Sequence, residues 1–206
     1  MGYTAIFGGT FNPPHIGHYE MLSALEKCPQ IEEIWLMPDR IPPHKVCDFL
    51  ASDKDRIEMC RLLSADFSKA KLCLAEFKRQ GKSYTYDTVT EFRKKYPNKK
   101  FTFVCGGDML ISFDKWYRYE ELMKMLPFTV FRRTDTDNAE FDRMAEKLSL
   151  QGMEITVMSE VITAVSSSYV RNNLEKSRDL LPEKIYNYIE NRGIYFGGKL
   201  NRLRIT

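Results

Sequence analysis

A chain of 206 residues is long enough for one well-buried domain and too short for two ordinary ones. Hydrophobic residues at 43% and charged residues at 29% exclude a disordered or fibrous chain. The formal charge of +3, from 31 basic and 28 acidic side chains scattered along the sequence, excludes a strong field for a nucleic-acid polymer or an acidic membrane, so any bound phosphate must be gripped locally.

The first apolar run, Tyr3 to Phe7, reads as a strand, and the amphipathic stretch Ile16 to Leu25 as the helix after it. Between them lies Gly8-Gly9-Thr10-Phe11-Asn12-Pro13-Pro14-His15-Ile16-Gly17-His18. Gly8 and Gly9 remove side chains where backbone must approach a ligand, and the prolines stiffen the entry to a helix whose free N–H groups attract an anion. His15 and His18, three apart, are expected on one face of the helix start, reaching one ligand and favouring their protonated, doubly donating forms beside a polyphosphate. The loop has no G-x-G-x-x-G and no Gly-Lys-Ser or Gly-Lys-Thr ending, so neither common nucleotide motif explains it.

Ile31 to Met37 reads as the second strand, and Pro38 to Ala51 as a long loop holding Pro42, Pro43, His44 and Lys45. Ser52 is the expected N-cap of a helix to Leu63, with Asp55 three residues on. Lys71 to Ala75 is a third strand, followed by a helix over Tyr84 to Tyr96. Strands at Phe101 to Cys105, Phe128 to Phe131 and Glu154 to Met158 alternate with a helix at Asn138 to Leu148, and helices at Ser167 to Leu174 and Glu183 to Glu190 end the pattern. The alternation predicts an α/β fold with a doubly wound, mostly parallel sheet and ligands outside the carboxyl ends of its strands. Residues 1–206 are read as one domain, with roughly 166–206 as a C-terminal helical subdomain.

No apolar run approaches the roughly 20 residues of a membrane span, and no basic segment followed by an apolar one opens the chain, so a cytoplasmic protein with no membrane partner is expected. Five cysteines, Cys28, Cys47, Cys60, Cys73 and Cys105, with no C-x-x-C pair, are poor material for disulfides or structural zinc and are read as reduced. All three histidines, His15, His18 and His44, fall in the first quarter of the chain, in two loops beside strand ends. No metal site is assigned, because only Glu20 and the distant Asp39 offer nearby carboxylates.

Val165-Ser166-Ser167-Ser168-Tyr169-Val170-Arg171 is a second helix start suited to phosphate, with serines to cap it and Arg171 four residues after Ser167 on the same face. With GGTFNPPHIGH, MPDRIPPHK at Met37 to Lys45, SYTYDT at Ser83 to Thr88 and FVCGGDMLISFDKWYRYEEL at Phe103 to Leu122, this segment makes nearly the whole chain resemble the nicotinate mononucleotide adenylyltransferase family, in the nucleotidyltransferase superfamily with an H-x-G-H motif. The first and last segments are shared across related nucleotidyltransferases, and the middle three point to this family.

The resemblance implies a Rossmann-like fold and joining of ATP to nicotinic acid mononucleotide, by in-line attack of the 5′-phosphate on the α-phosphorus, giving deamido-NAD and pyrophosphate with Mg²⁺ present. His15, His18 and Arg171 are the implied catalytic residues. Gly8, Gly9, Thr10, Phe11, His18, Gly106, Asp108, Ser167, Ser168 and Arg171 would bind ATP. His44, Lys45, Tyr84, Thr85, Trp116 and Arg133 would bind the mononucleotide, Trp116 by stacking on the pyridinium ring. Arg132 is a weaker candidate for phosphate. A substrate phosphate needs no activating base, and positioning alone accounts for roughly 7 to 11 kcal/mol of a barrier.

Two departures stand out: Asn12 where many family members have Asp, and Gly107 where many have Ala. The runner-up readings are a sister enzyme acting on nicotinamide mononucleotide or another phosphate acceptor, a non-catalytic nucleotide-binding regulator, and a metallohydrolase. Homo-oligomerisation is compatible with the sequence and not determined by it.

Overall fold

The computed structural model describes residues 2–41, 49–79 and 81–196. Strand β1 (Tyr3–Gly9) leads through the glycine and histidine loop into α1 (Ile16–Lys27), then β2 (Ile31–Pro38), α2 (Asp53–Ser64) and β3 (Ala70–Leu72). A 3-10 turn at Glu76–Lys78 precedes α3 (Thr85–Lys95). Then follow β4 (Lys100–Gly106), α4 (Gly107–Ile111), α5 (Tyr119–Leu122), β5 (Phe128–Arg133), α6 (Asn138–Leu150), β6 (Ile155–Ile162), α7 (Ser167–Asn172) and α8 (Glu183–Arg192).

The strands form one sheet in the order β3-β2-β1-β4-β5-β6, and every pairing is parallel. This is the expected doubly wound α/β sheet. The strand order reverses between β1 and β4, which opens a crevice at their carboxyl ends. β1 carries a run of buried residues because both of its faces are covered. Side-chain alternation then divides the core: Ala5 and Phe7 join the cluster under α1, α2 and α8, while Ile6 joins the aromatic cluster of Trp35, Phe92, Phe103, Phe113 and Phe128 under α3 to α6.

Helix starts follow local chemistry. Ser52 caps α2, its hydroxyl accepting from the Asp55 backbone N–H at 3.1 Å, as read from the sequence. Asp137 caps α6 and Ser166 caps α7 in the same way. Short α4 and α5, at 5 and 4 residues, are absent from the pattern reading because neither is long enough to show a helical period. β3 ends at Leu72 rather than Ala75, where the chain turns into the 3-10 segment. β6 runs on to Ile162 after a register shift opposite Val130 and Arg132; as an edge strand it is largely exposed and lacks the apolar run that marks the central strands.

The helical part expected from residue 166 onward buries Val170, Leu174, Ile185 and Ile189 in the same cluster as α1 and α2. Tyr188 of α8 donates to Asp55 of α2 at 2.9 Å, and Lys184 pairs with Asp66. Residues 197–206 of that segment lie outside the described residues. Among the described residues, no helix is long and apolar enough to cross a membrane.

Candidate active site

The crevice at the switch point is a cavity of about 470 Å³. Its walls take in Gly8, Gly9, Thr10, Phe11, His15 and His18 from the first loop, Gly106 and Asp108 after β4, and Ser167, Ser168 and Arg171 from α7. Tyr84 and Thr85 at the start of α3, Trp116 and Arg133 complete it. Every described residue assigned to a site from the sequence, the weaker candidate Arg132 excepted, therefore faces one cleft. His44 and Lys45 lie outside the described residues.

His15 is the N-cap of α1 and His18 its third residue. Their rings stack with centroids 3.7 Å apart and planes 29° from parallel. The His15 backbone N–H donates to Nδ1 of His18 at 3.1 Å. That bond is accepted at Nδ1, which leaves Nε2 as the other polar atom of the His18 ring.

Phe11 adopts φ of +48° and is buried, its ring edge-on to Phe7 and His18 at centroid distances of 5.6 and 4.9 Å. A side chain at Gly9 would meet that ring at 3.2 Å, so Gly9 makes room for Phe11 as well as for a ligand. Phe11 thus serves as the wall behind His18. The Thr10 hydroxyl donates to Asp39 Oδ2 at 3.0 Å and the Thr10 carbonyl accepts from Arg56, leaving its backbone N–H as the group suited to an anion.

Two side chains of α7 grip this loop. Ser167 Oγ donates to the carbonyl of Pro13 at 2.8 Å, and Arg171 Nη1 donates to the carbonyl of Asn12 at 2.7 Å while Nη2 donates to Ser168 Oγ at 3.1 Å. The second helix start therefore holds the first loop in addition to lining the cleft. Asn12 is itself buried, its Oδ1 accepting from Ala51 N and Tyr195 Oη and its Nδ2 donating to the Phe49 carbonyl at 2.8 Å.

The buried Arg56, unforeseen from sequence, anchors the loop from below. Its Nη1 donates to the carbonyls of Thr10 and Asp39, and its Nη2 to the Arg40 carbonyl and the Asp53 carboxylate. An arginine on an amphipathic helix ordinarily faces water, so nothing in the α2 pattern marks this one. Glu76 and Thr163 also line the cleft without a sequence signal, and Ser83 and Phe103, which open two of the segments that carry the family resemblance, line it too. Glu20 is engaged by the backbone N–H and hydroxyl of Thr163, which ties α1 to the end of β6.

On the far side, Trp116 rests edge-on to Phe103 with centroids 5.7 Å apart, and Tyr84 lies against Tyr117 at 4.6 Å. Arg133 pairs with Asp108 at 3.4 Å and with Asp135, joining a residue assigned to the mononucleotide with one assigned to ATP. Arg132 points the other way, as alternation along β5 requires: it bonds Asn138 and Asp142 and covers the Phe141 ring at 4.1 Å, so it is no phosphate ligand. Gly107 is explained by the same ring, since a side chain there would come within 3.1 Å of Phe141.

The donors around the first loop are backbone N–H, imidazole, hydroxyl and guanidinium, a set that suits phosphate oxygens. Among the described residues, no group of three or more His, Cys, Asp or Glu is placed to hold a metal.

Residues 6–173 match the cytidylyltransferase-like family model. A relative from Listeria welshimeri, named "Probable nicotinate-nucleotide adenylyltransferase", is 36% identical over 190 residues, covering 92% of this chain and 95% of its own. One of the same name from Bacillus cereus is 37% identical over 194 residues, covering 92% and 96%. In three dimensions the chain is similar to a Plasmodium falciparum nicotinic acid mononucleotide adenylyltransferase complexed with NaAD, with a TM-score of 0.76, 20% identity, and 95% and 98% of the two chains covered. That likeness shows the fold.

Proposed function

This chain belongs to the nicotinate-nucleotide adenylyltransferase family, within the cytidylyltransferase-like group, and from that premise we propose that its cleft joins ATP and nicotinic acid mononucleotide into deamido-NAD and pyrophosphate. The observation that carries the reading is the bond from Arg171 to Asn12, which fixes a guanidinium, a serine pair and the histidine loop on one cavity across 159 positions of sequence.

The ATP phosphates lie along the loop from Gly8 to His18, met by backbone N–H groups, His18 Nε2–H, Ser167, Ser168 and Arg171. His15 stacks on His18 and orients it. The mononucleotide occupies the other end, its pyridinium ring on Trp116 and its carboxylate at the helix start of Tyr84 and Thr85, with Arg133 toward its phosphate; His44 and Lys45, expected from the sequence to join it, lie outside the described residues. That phosphate attacks the α-phosphorus in line, the bond to the bridging oxygen breaks, and pyrophosphate leaves. The chain supplies alignment and positive charge for the pentavalent transition state and no general base. Mg²⁺, the expected companion of ATP, would arrive on the phosphate oxygens and neutralise part of their charge.

The test is pyrophosphate release from ATP with nicotinic acid mononucleotide, nicotinamide mononucleotide, phosphopantetheine and glycerol phosphate as acceptors. The acid mononucleotide should turn over fastest, and His18→Ala should lose that turnover with its circular dichroism intact. Equal rates with acid and amide would defeat the acid assignment.

A further inference from the structure

We propose that Glu76 is a positioning residue for the acceptor end of the cleft, fixing the turn that presents Tyr84 and Thr85 and tying it to the phosphate loop. The proposal rests on the assignment of Tyr84 and Thr85 to the mononucleotide.

The start of α3 lines the cavity, yet its N-cap, Tyr84, makes no side-chain capping bond. Something else must hold that turn. Glu76, 4% exposed in the 3-10 turn after β3, takes a hydrogen bond from a hydroxyl in the first turn of α3. Thr88 Oγ1, one turn into α3, donates to Glu76 Oε1 at 2.8 Å. Arg79 donates to Thr88 Oγ1 and lies 3.6 Å from Glu76 Oε1. The carboxylate thereby ties the 3-10 turn to the first turn of α3, directly after Tyr84 and Thr85.

The same group reaches the other subsite. Ser83 Oγ accepts from the Arg40 backbone N–H at 3.2 Å, and Arg40 Nη1 donates to the Arg79 carbonyl at 3.0 Å. The Arg40 carbonyl accepts from Arg56, whose other nitrogen donates to the Thr10 carbonyl in the phosphate loop. Through Arg79 a chain of polar groups thus runs from Thr10 to Thr88, setting the separation of the two helix starts that must align an in-line attack.

Burial raises the pKa of Glu76 against the lowering effect of Ser83, Thr88 and Arg79, and the Asp39 charge adds to the rise. Its hydrogen bonds, more than its charge, are what the site uses. A neutral, isosteric Gln keeps an oxygen acceptor at the same place and is tolerated by the fold.

The experiment is steady-state kinetics of the full chain and of Glu76→Ala, Glu76→Gln and Thr88→Val, with both KM values measured and folding checked by thermal melts. Glu76→Ala should raise KM for the mononucleotide by about tenfold or more while KM for ATP moves by less than about twofold, with Gln recovering most of the loss and Thr88→Val lying between. The proposal is overturned if Glu76→Ala leaves the acceptor KM within about twofold, raises both KM values alike, or if Gln is as impaired as Ala. Wild-type turnover with each acceptor reports separately on the functional reading; should another acceptor be preferred, its KM replaces that of the mononucleotide in the same comparison.

Discussion

Arg171 Nη1 donates to the backbone carbonyl of Asn12 at 2.7 Å, so the guanidinium of α7 is bonded to the loop it shares a cleft with. Arg171 therefore combines a positive charge with a mechanical hold. Arg171→Ala should lower kcat/KM by about 10² or more, and Arg171→Lys should recover only part, because an ammonium cannot fork onto a carbonyl and Ser168 at once. Pyrophosphate release in steady state, with a melt to confirm folding, measures this; a Lys variant of full activity would show that charge alone matters.

The family resemblance leads one to expect an aspartate at Asn12, and the structure supplies the reason for the amide. Its Nδ2 donates to the Phe49 carbonyl while its Oδ1 accepts from Ala51 and Tyr195, a split that only an amide satisfies, at 1% exposure. Asn12→Asp should lower unfolding free energy by about 1–3 kcal/mol near neutral pH, since it buries a charge and orphans an acceptor. Urea unfolding at two pH values checks it, and the deficit should shrink at acid pH, where the carboxyl regains a proton to donate.

Arg56 is fully buried and holds the Thr10, Asp39 and Arg40 carbonyls together with Asp53. Its replacement by Met fills the volume but leaves these acceptors and Asp39 without their cation, which should cost about 3–5 kcal/mol. Equilibrium denaturation measures the loss. A change below about 1 kcal/mol would mean that water replaces the guanidinium without penalty.

Glu33 lies between Lys71 and Lys99, with contacts of 2.5 and 2.8 Å. Burial works against its charge, but the hydrogen bonds from both lysines prevail and take its pKa from 4.5 to about 2. A depressed carboxylate contributes stability that is present above the unfolded pKa and disappears as pH falls through the folded one. Glu33→Gln should therefore melt below the wild type at pH 7, by about 1 kcal/mol in unfolding free energy, with the gap closing between pH 4.5 and about 2. Melts across that range, at low salt, give the curve.

The sequence by itself determined the six strands, the longer helices, the parallel sheet and the loop that carries the chemistry. These rest on short-range rules: burial on both faces writes continuous apolar runs such as Tyr3 to Phe7, helical burial writes a period, and a close backbone approach demands Gly9. What only tertiary structure decided is which polar groups meet. Arg171 on Asn12, Arg56 under Thr10, Glu76 against Thr88, and the opposite facing of Arg132 and Arg133 are contacts between distant segments or directions set by register, and neither leaves a periodic trace. Composition shows that a charged residue is present; only the packed backbone decides whether it faces water, a partner or the cleft.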